Sequence, residues 1–255
     1  MSDSKPRVLL EHHLKQLKLP TILKQYGPQA QQCAKQNVDY PDYLLRLTEL
    51  EMTDRQRRAT ERRIKNARFP VLKTLDGFDF AAQPSVNESL VRRLAAGEFI
   101  DPHENVLLMG NSGTGKTHLA IALAFAACSQ GRKVRFYIAG ELVTQLLEAR
   151  DERRLQRLMM YLQSQDLLVL DELGYVPFSK SGAELLFEVV SRSYERQSLI
   201  ITTNLPFENW TEVMGSERMT GALLDRLTHR VHIIEANGES YRLKESKRRL
   251  KYDRR

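Results

Sequence analysis

One stretch of this sequence constrains the fold more than any other, because it fits the phosphate-loop pattern G-x-x-x-x-G-K-[ST]. Its residues are Gly110, Asn111, Ser112, Gly113, Thr114, Gly115, Lys116 and Thr117. The apolar residues 106–109 before it predict a buried strand, and the Ala- and Leu-rich residues 118–130 after it predict a helix. Glycines allow the backbone N–H groups to converge on one point, where the helix dipole adds partial positive charge. The stretch therefore predicts a nucleotide-binding site in which Lys116 contacts the β- and γ-phosphates and the Thr117 hydroxyl binds Mg²⁺.

The rest of residues 105–235 alternates short apolar runs with helical segments. The predicted strands are residues 106–109, 134–138, 167–170, 199–202 and 231–234. Apolar strands separated by helices are typical of a parallel sheet that helices cover on both faces. The sequence therefore predicts an α/β fold with a five-stranded parallel sheet, whose ligands bind at the carboxyl ends of the strands.

Two acidic residues, Asp171 and Glu172, end the third predicted strand. An acid at the tip of a buried strand, downstream of a phosphate loop, is typical of the Walker B position. Asp171 would bind Mg²⁺, mostly through water, and Glu172 would orient and polarise the attacking water. A solvated pair of turn acids is the structural alternative.

A polar residue, Asn204, follows the fourth predicted strand. Its side chain could bind the γ-phosphate or the attacking water, or it could begin a turn before Pro206. The residues alone leave both interpretations open.

An arginine, Arg226, lies just before the fifth predicted strand. It could reach the γ-phosphate bound by a neighbouring subunit and stabilise the charge of the transition state. Arg218 and Arg230 are rival candidates, and an ion pair with Asp225 or Glu217 is the structural alternative.

The net charge of +7 is unevenly distributed along the chain. Residues 1–70 have a net charge of +6, residues 71–239 of −5 and residues 240–255 of +6. We predict a helical N-terminal domain at 1–70 that binds DNA or contacts other subunits, a nucleotide-hydrolysing domain at 71–239 and a basic tail at 240–255. Basic ends favour a polyanionic partner, most simply double-stranded DNA, although solvated helix surfaces would also carry such charge.

Leucine spacing predicts helices within residues 5–70, with a break from Pro20 and a turn at Tyr26-Gly27-Pro28. The candidate DNA contacts are the basic residues of one N-terminal helix and of the tail. They are Arg55, Arg57, Arg58, Arg62, Arg63, Lys65, Lys247, Arg248 and Arg249.

Several classes of protein and site are not expected. No apolar run approaches the ~20 residues of a membrane span, and the N-terminal residues show no signal peptide. The two isolated cysteines, Cys33 and Cys128, fit a reducing cytoplasm. No grouping of His and Cys predicts a structural metal.

Taken in order, these motifs resemble those of the AAA+ ATPases of the DnaA/DnaC branch, and most closely the IstB-like ATP-binding proteins that assist bacterial insertion-sequence transposition. The resemblance covers roughly residues 40–246 and includes the segments 184–187, 194–196, 201–207, 222–227 and 238–242. It implies that Asn204 is sensor I and Arg226 the arginine finger. No helical lid is expected after the fifth strand, which leaves Arg242 as the candidate for the sensor II arginine.

The resemblance also implies the activity and its partners. It implies a homo-oligomer with ATP at subunit junctions, assembled on DNA, that hydrolyses ATP and helps a transposase engage target DNA in the bacterial cytoplasm. A replicative helicase loader has the same motifs and remains an alternative. Two further alternatives are a small-molecule P-loop kinase and a DNA-binding module in which ATP acts only as a conformational switch.

Overall fold

The structure is a computed structural model that describes residues 4–241. The chain divides into two compact units, Met1–Arg62 and Arg63–Arg255, and the division falls inside the third helix. The predicted domain limits at 70/71 and 239/240 stay predictions. No helix of residues 4–241 is both long and apolar enough to cross a bilayer.

The first unit is built from helices. They are α1 (Ser4–Gln16), α2 (Pro20–Lys35) and α3 (Tyr40–Ala67), the last of which continues into the second unit. Leu14, Ile22 and Leu47 form its small buried core. Glu51 on α3, only 3% exposed, accepts hydrogen bonds from the backbone amides of Thr21 and Ile22. Glu51 thus caps α2, whose own N-cap side chain makes no such bond.

The predicted turn at Tyr26-Gly27-Pro28 is wrong, because these residues lie inside α2. A proline in a helix interior removes one backbone hydrogen bond and costs roughly 3 kcal/mol. Burial of Ile22 and Cys33 on either side of the proline opposes that cost. The Tyr26 carbonyl also accepts a hydrogen bond from the hydroxyl of Tyr43 on α3. Tertiary packing therefore overrides the local turn signal.

The second unit contains a five-stranded parallel sheet with the strand order β2-β3-β4-β1-β5. The strands are β1 (Asn105–Met109), β2 (Val134–Ile138), β3 (Leu167–Leu173), β4 (Ser198–Thr203) and β5 (Val231–Glu235). The helices are α4 (Glu88–Ala95), α5 (Lys116–Ser129), α6 (Ala139–Asp151), α7 (Leu155–Gln163), α8 (Lys180–Ser193), α9 (Trp210–Met214) and α10 (Glu217–Thr228). The predicted α/β fold with its parallel sheet and helical N-terminal region is confirmed.

Successive residues of each strand supply two separate hydrophobic cores. On β1, Val106 and Leu108 belong to a core with helices α4 and α5, whereas Leu107 belongs to a core with α6, α7, α8, α9 and α10. Side chains alternate between the faces of a strand, so the two cores lie on opposite faces. Helices therefore cover both faces of the sheet, as the sequence predicts.

Candidate nucleotide-binding site

The predicted phosphate loop joins the end of β1 to the first residue of α5, Lys116. Gly113 and Gly115 have φ values of 82° and 93°, in the region that side chains other than glycine rarely adopt. Gly115 is the N-cap of α5, so the first amides of that helix receive no capping hydrogen bond from an N-cap side chain. The loop and the helix N-terminus together form a concave set of N–H donors suited to phosphate.

The side chain of Lys116 lies along the loop. Its Nζ atom donates hydrogen bonds of 2.7 Å to the carbonyl oxygens of Gly110 and Asn111. The buried Thr114 hydroxyl donates to the Asn111 carbonyl at 2.8 Å. These bonds hold an ammonium group within the loop, where it can neutralise phosphate charge.

The structure brings the two predicted Mg²⁺ ligands together. Thr117 Oγ1 donates to Asp171 Oδ1 at 2.9 Å, across the gap between α5 and β3. A hydroxyl beside a carboxylate is the oxygen donor set that Mg²⁺ accepts when phosphates and water complete its coordination. The two residues therefore fit a nucleotide-bound Mg²⁺.

Asp171 is buried, with only 3% of the residue exposed. Burial raises its pKa above the ordinary value, whereas hydrogen bonds from Thr202 and Thr117 and the charge of Lys116 lower it. Desolvation is the largest of these effects. A divalent cation would replace the lost hydration of this carboxylate.

A residue without a role in the sequence analysis, Thr202 on β4, joins the two acids. Its Oγ1 atom donates to Asp171 Oδ1 at 2.6 Å and accepts from the backbone N–H of Glu172 at 2.9 Å. Glu172 has φ 58°, at an irregularity in the β3–β4 pairing, and its side chain is exposed. Glu172 is therefore exposed although the neighbouring Asp171 is buried. Only its position, before Asn204 in the predicted strand-end motif, could have marked Thr202 from sequence.

Asn204 and Arg226 are not part of this cluster. Asn204 directly follows β4 and is exposed. Arg226 donates to the Ala222 carbonyl at 2.7 Å, and its guanidinium carbon lies 5.1 Å from the centre of the Phe187 ring. The structural alternative, an ion pair of Arg226 with Asp225 or Glu217, is not among the salt bridges of residues 4–241.

A cavity of about 500 Å³ opens beside the phosphate loop. Its lining contains Gly113 to His118 and Ile121, several residues between Pro70 and Gln83, and Tyr241. Its size is within the range of small-molecule sites. The phosphate loop therefore borders a space large enough for more than the phosphates alone.

Acidic neighbours engage several of the candidate DNA contacts on α3. Arg55 and Arg58 form ion pairs with Glu51, and Arg57 pairs with Asp54 and Glu61. In the first unit, Arg62 is exposed. In the second unit, Lys65 is exposed, while Arg63 is half-buried near Gly131. The remaining candidates, Lys247, Arg248 and Arg249, and the sensor II candidate Arg242 lie outside the described residues.

The strand order, the glycine-rich loop and the acid on β3 define a P-loop nucleotide-binding protein of the AAA+ type. The chain belongs to the IstB-like ATP-binding protein family, whose model matches residues 12–249. It is 38% identical over 238 residues to an insertion sequence IS5376 ATP-binding protein of Geobacillus stearothermophilus, covering 93% of this chain and 95% of that protein. An insertion sequence IS21 ATP-binding protein of Pseudomonas aeruginosa is 39% identical, with 94% and 90% covered.

Solved structures show the same fold. AMPPCP-bound DnaA from Aquifex aeolicus superimposes with a TM-score of 0.55 at 21% identity, over 70% of this chain and 54% of that one. The crystal structure of DnaI gives a TM-score of 0.53 at 18% identity, over 66% and 89%. The family match confirms the predicted family, and the solved structures show that its fold is the one seen in DnaA and DnaI.

Proposed function

We propose that this protein is a DNA-binding, oligomerising ATPase that helps a transposase engage target DNA in the bacterial cytoplasm. The observation that carries the proposal is the contact between Thr117 of the phosphate loop and Asp171 of β3, beside the exposed Glu172. The match to the IstB-like family and the relatives named for insertion sequences support the transposition context.

Each residue of the site has a separate part in the proposed reaction. Lys116 neutralises the β- and γ-phosphates, while Thr117 and Asp171 hold Mg²⁺, which offsets the charge that develops on the transferred phosphoryl group. Glu172 orients and polarises the attacking water. Asn204, exposed at the end of β4, binds the water or the γ-phosphate. Hydrolysis is favoured over transfer to a small-molecule acceptor because Glu172 and Asn204, at the ends of neighbouring strands, can orient and polarise water.

The position of Arg226 favours action on a neighbouring subunit. Asn105, which begins β1, donates to the Leu227 carbonyl and to the Arg230 carbonyl. The end of α10 therefore lies at the strand-start edge of the sheet, whereas the phosphate loop follows the other end of β1. A strand of five residues separates these edges by on the order of 13 Å. A second copy could bring its own Arg226 to the nucleotide, so the proposed active form is an oligomer.

The proposed DNA contacts centre on Arg62 and Lys65, with Lys247, Arg248 and Arg249 of the tail. Arg62 and Lys65 are exposed, and neither belongs to an ion pair among residues 4–241. Arg55 and Arg58 hold Glu51, so their primary role is to stabilise the first unit. Lysine and arginine on one helix neutralise phosphates without reading base sequence.

The proposal is tested by measuring ATP hydrolysis and sedimentation with and without duplex DNA. We expect DNA to accelerate hydrolysis, and ATP to cause assembly on DNA. Replacing both Arg62 and Lys65 with alanine should weaken DNA binding and lower its salt slope by about two. A double variant at the exposed Arg92 and Lys180 is the charge-matched control. A protein that stays monomeric on DNA with ATP would contradict the proposal.

Other functions of this fold predict different results. Association with a replicative helicase and not with a transposase would favour a helicase loader. ATP turnover that needs an acceptor other than water and ignores DNA would favour a small-molecule kinase. Full function in a Glu172→Gln variant would favour ATP as a switch without hydrolysis.

A further inference from the structure

The chain does not leave the nucleotide site after β5 but crosses the phosphate loop. Ala236 N–H donates to the Met109 carbonyl at 2.7 Å, and Tyr241 N–H donates to the Gly113 carbonyl at 3.0 Å. A Cβ atom on Gly113 would collide with the hydroxyl of Ser240. Residues 237–241, here called the strap, therefore lie directly against the loop.

A second set of bonds holds the strap from the other side. Gln83 Nε2 donates to the Glu239 carbonyl at 3.0 Å, and Asn237 N–H donates to Ser85 Oγ at 3.0 Å. Gln83 is only 2% exposed, and its Oε1 packs against Gly238 so closely that a side chain there would displace it. The strap is thus fixed between residues 83–85 and the phosphate loop.

This arrangement brings an aromatic side chain to the wall of the 500 Å³ cavity, because Tyr241 lines that cavity and is 44% exposed. The phosphates of a nucleotide would occupy the end beside Lys116 and Thr117. Its nucleoside would then occupy the remaining space, between Tyr241 and residues 70–83. Phe78, another aromatic ring of the lining, is partly buried against Phe80 and His118.

We propose that Tyr241 contacts the nucleoside of the bound nucleotide, so that the strap completes a site whose phosphate half is the loop. Every base has a π-face that an aromatic ring can stack on, and such contacts tolerate any base. Tyr241 therefore adds affinity for nucleosides and not for phosphate. This inference rests on the proposed function, since it assumes that a nucleoside triphosphate binds at Lys116.

The test compares two ligands, a non-hydrolysable ATP analogue and inorganic tripolyphosphate, by competition against a fluorescent nucleotide. Tyr241→Ala should lower the affinity for the ATP analogue about tenfold and change the affinity for tripolyphosphate less than twofold. Tyr241→Phe, which keeps the ring, should bind both ligands as the unaltered protein does. Tyr175→Ala removes another exposed tyrosine outside the cavity and is the matched control.

Three outcomes overturn the inference. Equal losses for both ligands would mean that Tyr241 only supports the loop, and no loss for either would mean that it does not contact the ligand. A loss in Tyr241→Phe as large as in Tyr241→Ala would exclude a ring contact. Lys116→Ala should weaken both ligands. If it weakens neither, the nucleotide site itself is misplaced and the proposed function fails for a separate reason.

Discussion

Thr202 Oγ1 lies 2.6 Å from Asp171 Oδ1, and this hydrogen bond joins the ends of β4 and β3. The same hydroxyl accepts the backbone N–H of Glu172, so one buried oxygen sets the positions of both acids. In the proposed mechanism, Thr202 is therefore a positioning residue for Glu172, the proposed water-activating carboxylate, and for Asp171, the proposed Mg²⁺ ligand.

Replacing Thr202 with valine should lower kcat about tenfold to a hundredfold and leave KM for ATP nearly unchanged. Valine keeps the shape but removes a hydrogen bond to a charged group, a loss of roughly 1.5 to 3 kcal/mol. Thr202→Ser should retain most of the activity because it keeps the hydroxyl. Steady-state kinetics check this, and equal kcat values for the two variants would contradict the positioning role.

Replacing Asp171 with asparagine should raise the Tm of the ligand-free protein at pH 7 while abolishing Mg²⁺-dependent hydrolysis. Burial raises the pKa of Asp171 above 3.8, so the folded protein favours the protonated carboxyl. Stability from this group is present below pH 3.8 and is lost as the pH rises through the raised folded-state pKa. The Tm of the variant minus the Tm of the parent should therefore increase as the pH rises from 3.8 through the raised folded-state pKa of Asp171. Thermal unfolding across pH measures it, and a difference independent of pH would contradict the assigned cause.

Replacing Arg226 with alanine should preserve ATP binding and reduce hydrolysis by about a thousandfold, because the developing phosphoryl charge loses its cation. A mixture of Arg226→Ala and Glu172→Gln subunits should regain part of the activity. At some junctions, the Arg226→Ala subunit would supply an intact Glu172 and its Glu172→Gln neighbour an intact Arg226. Arg218→Ala and Arg230→Ala, tested in the same mixtures, are the controls. Failure to regain activity on mixing would argue that Arg226 acts within its own chain or only structurally.

Replacing Glu51 with alanine should destabilise the first unit by about 3 kcal/mol. The substitution leaves the amides of Thr21 and Ile22 without their acceptor and removes the ion-pair partner of Arg55 and Arg58. Hydrogen exchange of the α2 amides should accelerate, whereas Glu49→Ala, at an exposed position on the same helix, should change it little. Unchanged exchange in Glu51→Ala would show that α2 does not depend on this cap.

The sequence by itself determined the phosphate loop, the parallel sheet and the adjacency of Thr117 and Asp171. Loop geometry depends on glycines at set spacing, and apolar strands separated by helices have few ways to bury both faces of a sheet. The carboxyl ends of parallel strands then lie at one edge of the sheet. This arrangement alone places the phosphate loop after β1 near Asp171 on β3.

Only the tertiary structure decided the role of Thr202, the course of the strap and the helix through Gly27-Pro28. Each depends on a contact between segments far apart in the chain: Thr202 with Asp171, Tyr241 with Gly113, and Tyr43 with Tyr26. A local sequence pattern indicates the propensity for helix, strand or turn. It does not indicate which distant residue forms a hydrogen bond with a given hydroxyl or amide. Long-range hydrogen bonds and burial therefore determined the conformations and side-chain partners that the local sequence did not specify.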